Sequence, residues 1–387
     1  MNAMASTLVV VSFLALPTPV LLTPACVRRG EMPSSSGGNE VTSGDAPSQT
    51  PFVNVTGRAD WRDPAGPRFA WPATEIQATF TGTGIDVRLG DTGTNFFAVR
   101  IDDGTPTSVA TARGTARYTL ASTLTPGRHT VALTKRTESN VGVVQFLGFL
   151  PHDGVLVKDE RPSPDSPRRI EFIGDSVTCG YGNLGTDPEQ HFSSDAEDET
   201  LAYGALTAAQ LGAEHTAIAY SGIGMYRNYS GSTLEPMPLR FLRTLADDRT
   251  SVWTFSTPAP DVVVVALGGN DFATGDPGSA FTDAYVEFVR RLRTLYPRAF
   301  VVCALSPLLS DAHPVGALHR TKAKAYLRAA VQKIRSDHSE NRERVSYFEF
   351  SELQPSEGFG SDHHPSAASH RRMAGELVTF LRATLKW

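Results

Sequence analysis

Cysteine is scarce in this chain: its 387 residues include three, Cys26, Cys179 and Cys303. Three cysteines cannot make a disulfide framework, so the fold must rest on packed cores. An excess of one charge sign is also lacking, since 36 Lys and Arg stand against 41 Asp and Glu, for a net charge of -5 with no basic cluster. That excludes nucleic acid as the expected partner. After the N-terminus no apolar run approaches the roughly 18 residues of a membrane-spanning helix, so no transmembrane segment is expected. Cofactor fingerprints are missing as well. Neither a Walker Gly-Lys-Ser/Thr nor a strand-linked dinucleotide motif occurs, and glycines such as Gly82 and Gly84 read as hairpin turns. Asp362, His363, His364 and His370 have no second cluster with zinc-ligand spacing and read as clustered surface histidines. No cofactor and no metal is expected.

What is present is an ordinary globular balance, 40% hydrophobic and 20% charged residues, on a chain long enough for two domains. Thr7 to Leu22 carries no charge and leads into Thr23-Pro24-Ala25-Cys26, so residues 1–26 read as a secretory signal segment. Pro17 and Pro19 interrupt that run and argue against a membrane span. Cys26 after Ala25 suggests a lipid anchor, which gives a secreted or cell-envelope location with lipidation left open. Residues 27–51, dominated from Met32 onward by Ser, Gly, Pro and Thr, are expected to be a flexible linker.

Between residues 52 and 157, strand-like segments such as Glu75 to Phe80, Asn95 to Ile101 and His129 to Leu133 alternate with turn signals. Gly82-Thr83-Gly84, Asp102-Asp103-Gly104 and Pro126-Gly127 mark those turns, the pattern of a β-sandwich of jelly-roll type. Lys158 to Arg169, with Pro162, Pro164 and Pro167, reads as a connection between domains. Residues 158–387 change character. Strand-like runs at Ile170 to Ile173, His215 to Tyr220, Val262 to Leu267, Phe300 to Leu305 and Val345 to Phe350 alternate with helix-like segments. Those helices are expected at Thr200 to Leu211, Ala280 to Leu295, Leu318 to Ile334 and Ser366 to Leu385. The alternation predicts a three-layer α/β domain, a parallel sheet covered on both faces, with its ligand site at the C-terminal strand ends. Cys179 and Cys303 fall in different elements and read as two small buried thiols rather than a pair.

Polar blocks sit at those strand ends. The first strand runs into Gly174-Asp175-Ser176 and then helix-compatible sequence, which presents a serine hydroxyl beside backbone NH groups. Acyl transfer needs that combination, although a lone Asp-Ser also reads as helix capping. Three companions shift the balance: Ser221-Gly222-Ile223-Gly224, Gly268-Gly269-Asn270-Asp271, and Asp362-His363-His364-Pro365 ahead of the last helix. Three of the four blocks directly follow predicted strands, so one shared site is expected.

The four blocks, in this order over about the C-terminal two-thirds of the chain, resemble the SGNH (GDSL-like) hydrolase superfamily. The stretch from Gly174 to Gly182, preceded by a sandwich, is similar to that of carbohydrate esterase family 2. The resemblance implies a carboxylic ester hydrolase that works through an acyl-enzyme. Ser176 would be its nucleophile and His364 its base, with the Ser176 NH, the Gly222 NH and the Asn270 amide as oxyanion donors; Gly224 rivals Gly222. A second Asp-x-His-Pro segment, Asp311-Ala312-His313-Pro314, follows the fourth strand. His364 is preferred because it precedes the final helix, where the superfamily carries its histidine, and His313 reads as a loop residue. The superfamily spacing is Asp-x-x-His, whereas one residue separates Asp362 from His364, as in family 2. Either the Asp362 carboxylate or a backbone carbonyl near His363 would orient the imidazole.

Tyr181, Tyr226, Tyr229, Trp253 and Phe272 lie near the blocks in sequence; Tyr226, Trp253 and Phe272 are the expected substrate-binding residues, with core packing as the alternative use. The resemblance implies an acetylated carbohydrate of xylan or mannan type as substrate. Two rivals stay open: a lipase or lysophospholipase of the same superfamily, and a carbohydrate-binding protein with an inert hydrolase domain.

Overall fold

The computed structural model describes residues 52–160, 167–255, 258–336 and 343–387; the expected signal segment 1–26 and linker 27–51 lie outside them. Ten strands come first: β1 (Val53–Thr56), β2 (Arg68–Phe69), β3 (Glu75–Gly82), β4 (Gly84–Asp91), β5 (Phe96–Ile101), β6 (Thr107–Ala110), β7 (Gly114–Ala121), β8 (Gly127–Lys135), β9 (Val144–His152) and β10 (Leu156–Val157). They form two antiparallel sheets, one ordered β1-β3-β8-β5-β6 with β10 also on β3, the other β2-β9-β4-β7. Ile76, Phe80, Val99, Val131 and Leu133 of the first sheet meet Ile85, Val87, Leu89, Phe146 and Phe149 of the second in one apolar core. The period-2 alternation of apolar residues along each strand produces that face-to-face packing.

The remainder is α/β. Strands β11 (Arg168–Gly174), β12 (Ala213–Ala219), β13 (Val262–Ala266), β14 (Phe300–Leu305) and β15 (Val345–Glu349) pair in parallel in the order β12-β11-β13-β14-β15. The helices are α1 (Ser176–Cys179), α2 (Tyr203–Leu211), α3 (Met237–Arg240), α4 (Ser279–Leu295), α5 (His319–Ser336) and α6 (Ala367–Leu385). Alternate strand residues face opposite layers. Ile173, Val263, Val265, Val301 and Cys303 pack with α4 and α5, while Phe172, Val264, Ala266, Val302 and Ala304 pack with α2 and α6. A strand buried on both faces reads as a continuous apolar run, and the four valines of β13 are each 0% exposed. At about 1.5–3 kcal/mol per buried aliphatic side chain, that strand alone is a large part of what holds the sheet.

The helix expected from Thr200 starts later. Ala202 is extended (φ -74, ψ 160), and Glu199–Leu201 forms a separate 3-10 turn capped by the Asp198 carboxylate. The cap satisfies the turn locally, so α2 nucleates anew at Tyr203. Cys179 and Cys303 are free and buried. No helix among the described residues is long and apolar enough to cross a membrane.

The chain leaves β11 to form β12 on one side of it and later β13 on the other. The carboxyl ends of these three strands therefore flank the point where strand order reverses, the place where parallel sheets leave a crevice.

Candidate active site

Ser176 stands at that crevice. β11 ends at Gly174, where a Cβ would lie 1.9 Å from Thr178 Oγ1, so only glycine permits the turn. Asp175 is extended, and its carboxylate accepts the Val177 NH at 3.1 Å, capping α1. Burial pushes the Asp175 carboxyl up to about 7, against the pull of that NH. Ser176 is the first helical residue, so its own NH has no intrahelical acceptor.

His364 comes to it from the far end of the chain. Its Nε2 lies 2.9 Å from Ser176 Oγ, and its Nδ1 lies 3.1 Å from the backbone carbonyl oxygen of Asp362. A carbonyl can only accept, so Nδ1 carries the hydrogen and Nε2 presents its lone pair to the serine. Burial holds the imidazole below its usual pKa, while the Asp362 carbonyl bond and carboxylate charge pull the other way. The serine therefore faces a neutral base over most of the pH range.

The Asp362 carboxylate does not reach His364; it accepts from Tyr181 OH at 2.8 Å, His191 Nδ1 at 2.9 Å and the Phe192 NH at 3.0 Å. Asp362 and His363 both have positive φ, 50° and 57°. Such a pair costs of order 1–3 kcal/mol per residue and persists where surrounding bonds over-determine it. Here the Asp362 NH donates to Gln190 O, the His363 NH to Pro188 O and the Ser361 NH to Gly182 O. Tyr181 also packs on the imidazole, ring centroids 4.2 Å apart, and Phe192 stacks behind Tyr181 at 4.6 Å. Ring stack and acid together fix the direction of the base.

Two further candidate donors stand just beyond the ends of β12 and β13. Gly222 is left-handed (φ +75), and its NH has no acceptor among the described residues, whereas the Gly224 NH already donates to Asn228 Oδ1 at 3.2 Å. The Asn270 amide donates to Ile223 O at 3.0 Å and reaches Asp175 Oδ2 at 3.4 Å. The second contact is long, so one amide hydrogen stays weakly held. Asp271 beside it is buried and accepts the NH groups of Met225, Tyr226 and Arg227 at 2.9, 2.7 and 2.9 Å. That residue sits inside the Gly-Gly-Asn-Asp block, yet its bracing of the Gly222 loop had no signal beyond adjacency.

Not every expected residue belongs here. Phe272 is 1% exposed and packs among Phe281, His319 and Tyr326 in the core, because the 3-10 turn carrying Asn270 directs it under the sheet. Trp253 lies over the Arg58 guanidinium at 5.3 Å. It lines a cavity of about 860 Å³ with Arg169, Glu171 and His215, at the opening ends of β11 and β12 and so away from Ser176. Neither can meet a substrate at the serine. Tyr226 stays on the Gly222 loop, half-buried, and Tyr229 on the same loop is 68% exposed. His370 is no surface histidine: it is fully buried and its Nδ1 accepts the Tyr203 NH at 3.1 Å. Among the described residues Glu138, Cys179 and Glu197 bring three ligand-type atoms within 4.8 Å of one another. Beside that group the buried Lys135 Nζ donates to the carbonyl oxygens of Thr137 and Glu138 at 2.6 and 2.9 Å, and burial raises the Cys179 thiol well above its usual pKa.

Comparison with known proteins follows the same division of the chain. Residues 55–158 match the family described as Carbohydrate esterase 2 N-terminal, and residues 172–372 match the GDSL-like Lipase/Acylhydrolase family. The cellulase/esterase CelE of Acetivibrio thermocellus is 36% identical over 342 residues, which cover 87% of this chain and 40% of that protein. An acetylxylan esterase / glucomannan deacetylase of Cellvibrio japonicus is 29% identical over 87% of this chain and 90% of its own length. Among solved structures, a family two carbohydrate esterase from Clostridium thermocellum in complex with cellohexaose superimposes with a TM-score of 0.80. It shares 35% identity over 87% of this chain and 99% of that one. Sandwich and hydrolase thus match together and in order, and on that ground the chain belongs to the family 2 carbohydrate esterases, with a GDSL-like hydrolase domain behind the sandwich.

Proposed function

We propose that the chain is a serine esterase that removes acetyl groups from carbohydrate through an acyl-enzyme. The contact that carries this reading is Ser176 Oγ to His364 Nε2 at 2.9 Å, with the imidazole tautomer set by a main-chain carbonyl. Ser176 attacks the ester carbonyl as Nε2 takes its proton, and the imidazolium gives that proton to the departing sugar oxygen, which leaves as the alcohol. Charge on the carbonyl oxygen is met by the Ser176 NH, the Gly222 NH and the weakly held Asn270 hydrogen. One such donor is worth about 3 kcal/mol. Water then attacks the acetyl-serine with the same base.

The carbohydrate part of the reading rests on the relatives. The Cellvibrio japonicus protein is named for acetylxylan and glucomannan, and the Clostridium thermocellum esterase was solved with cellohexaose. Tyr229, exposed on the loop that carries Gly222, offers the aromatic face that a sugar ring stacks on. Export through residues 1–26, with or without a lipid on Cys26, belongs to the same proposal; the N-terminal residue and mass of protein recovered outside the cell test it.

Acetate release from acetylated xylan and acetylated glucomannan tests the activity. Ser176→Ala should stay folded and lose turnover by about 10⁴-fold or more, and near wild-type release in that variant would sink the mechanism. Acetyl esters should exceed butyryl and octanoyl esters in kcat/KM. A rate that climbs with chain length would favour the lipase-like rival.

A further inference from the structure

The Gly222 loop is gripped from outside the α/β layers. Glu138 belongs to the sandwich part, three residues beyond β8, and is 0% exposed. Its Oε2 accepts the Ser221 NH at 2.7 Å and its Oε1 accepts the Ser221 hydroxyl at 2.5 Å, a two-point hold on the residue before Gly222. Asp271 holds the other side of the same loop through Met225, Tyr226 and Arg227. Gly222, whose NH has no acceptor among the described residues, lies in sequence between the two anchored stretches.

Glu138 is itself fixed. Its NH donates to Glu197 Oε2 at 2.9 Å, and its carbonyl accepts from the Lys135 ammonium at 2.9 Å. Adhesion between sandwich and hydrolase parts has another source. Arg136 pairs with the Asp198 carboxylate at 2.9 Å, donates to Glu197 O at 3.1 Å, and accepts the Glu199 NH on its own carbonyl. Burying a carboxylate is costly, and adhesion alone gives no reason to aim it at Ser221. Burial raises the Glu138 carboxyl, while the two Ser221 bonds and Lys135 draw it back.

We propose that Glu138 is a positioning residue for the oxyanion donor: through Ser221, the sandwich aligns the Gly222 NH with the carbonyl oxygen of the substrate. This rests on the esterase reading above. An oxyanion donor works by being fixed before charge develops, so loosening its loop costs turnover rather than ground-state binding.

The test uses the full chain and 4-nitrophenyl acetate, with Tm recorded for every variant. Glu138→Ala should lower kcat by about 10-fold or more with KM changed less than about twofold. Phosphorylation of Ser176 by a dialkyl 4-nitrophenyl phosphate, which develops the same charge, should slow by a similar factor. Glu138→Gln should recover most of both rates, because its amide oxygen accepts the Ser221 NH and its NH₂ donates to Ser221 Oγ. Arg136→Lys should lower Tm with kcat unchanged. Wild-type kcat and phosphorylation in Glu138→Ala, or a kcat loss that Arg136→Lys reproduces, would overturn the assignment. Should Glu138→Ala fail to fold, Ser221→Ala decides by the same readings: a several-fold fall in kcat at constant KM is expected, and no change overturns it. An active wild type with an equally active Glu138→Ala defeats this inference alone, whereas a wild type inert towards every ester defeats the esterase reading as well.

Discussion

The chain carries two Asp-x-His-Pro segments, 311–314 and 362–365, and puts them to different uses. In the first, the Asp311 carboxylate accepts the Thr321 NH at 2.9 Å and its hydroxyl at 2.5 Å, tying down the start of α5, and His313 is exposed. In the second, the acid is bound by Tyr181, His191 and the Phe192 NH, while its carbonyl receives the histidine that reaches Ser176. Residue type is the same in both. What differs is the bracing: two left-handed residues locked by Gln190 and Pro188, and a ring stack behind the imidazole.

The strongest way to break this contrast is to exchange the histidines' fates. His364→Ala should cut kcat by about 10⁴-fold while His313→Ala leaves it within about twofold, measured on 4-nitrophenyl acetate; equal effects would undo the assignment. Next comes the acid. A buried carboxylate that orients a catalytic imidazole is worth about 10⁴-fold, whereas Asp362→Ala should cost only about 10- to 50-fold, since the carbonyl acceptor survives and the bracing alone is lost. A loss equal to that of His364→Ala would restore a full triad.

A smaller effect is read in the pH profile. The imidazole must be neutral to accept a proton, and burial lowers its pKa, so kcat/KM should hold through neutrality and fall only below the usual imidazole value of about 6.5. Asp362→Asn removes an anion that favours the imidazolium, so the acid limb should move to lower pH; a shift to higher pH would contradict the geometry. Smallest is Asp311→Asn. It should lower stability by about 1 kcal/mol or less in denaturant titration, with kcat unchanged, because Asp311 ties a helix start and nothing more.

The five strands and the long helices of the α/β part were legible because their causes are local, such as the run of valines in β13 and the glycine turns at Gly174 and Gly268, whereas the short α3 was missed and α2 starts later than expected. The serine and histidine blocks were legible through their order along those elements. Long-range partners left no such trace. Glu138 meets Ser221 across 83 positions, and Tyr181 meets Asp362 across 181. Trp253 and Phe272 mislead for the converse reason: nearness in sequence to a site block says nothing of the side on which a ring packs. The backbone turns under Phe272, and the loop holding Trp253 runs to the opposite end of the strands.

The acceptor that orients the His364 imidazole is part of the peptide link between Asp362 and His363. A carboxylate in that role would lose its charge in acid and could be erased by one codon change. A peptide oxygen has no proton to gain in that range, and every substitution at position 362 except one that redirects the backbone leaves it in place. The acceptor of the His364 imidazole thereby survives both acid and side-chain exchange at position 362, and what the Asp362 carboxylate governs is how firmly the loop that carries it is held.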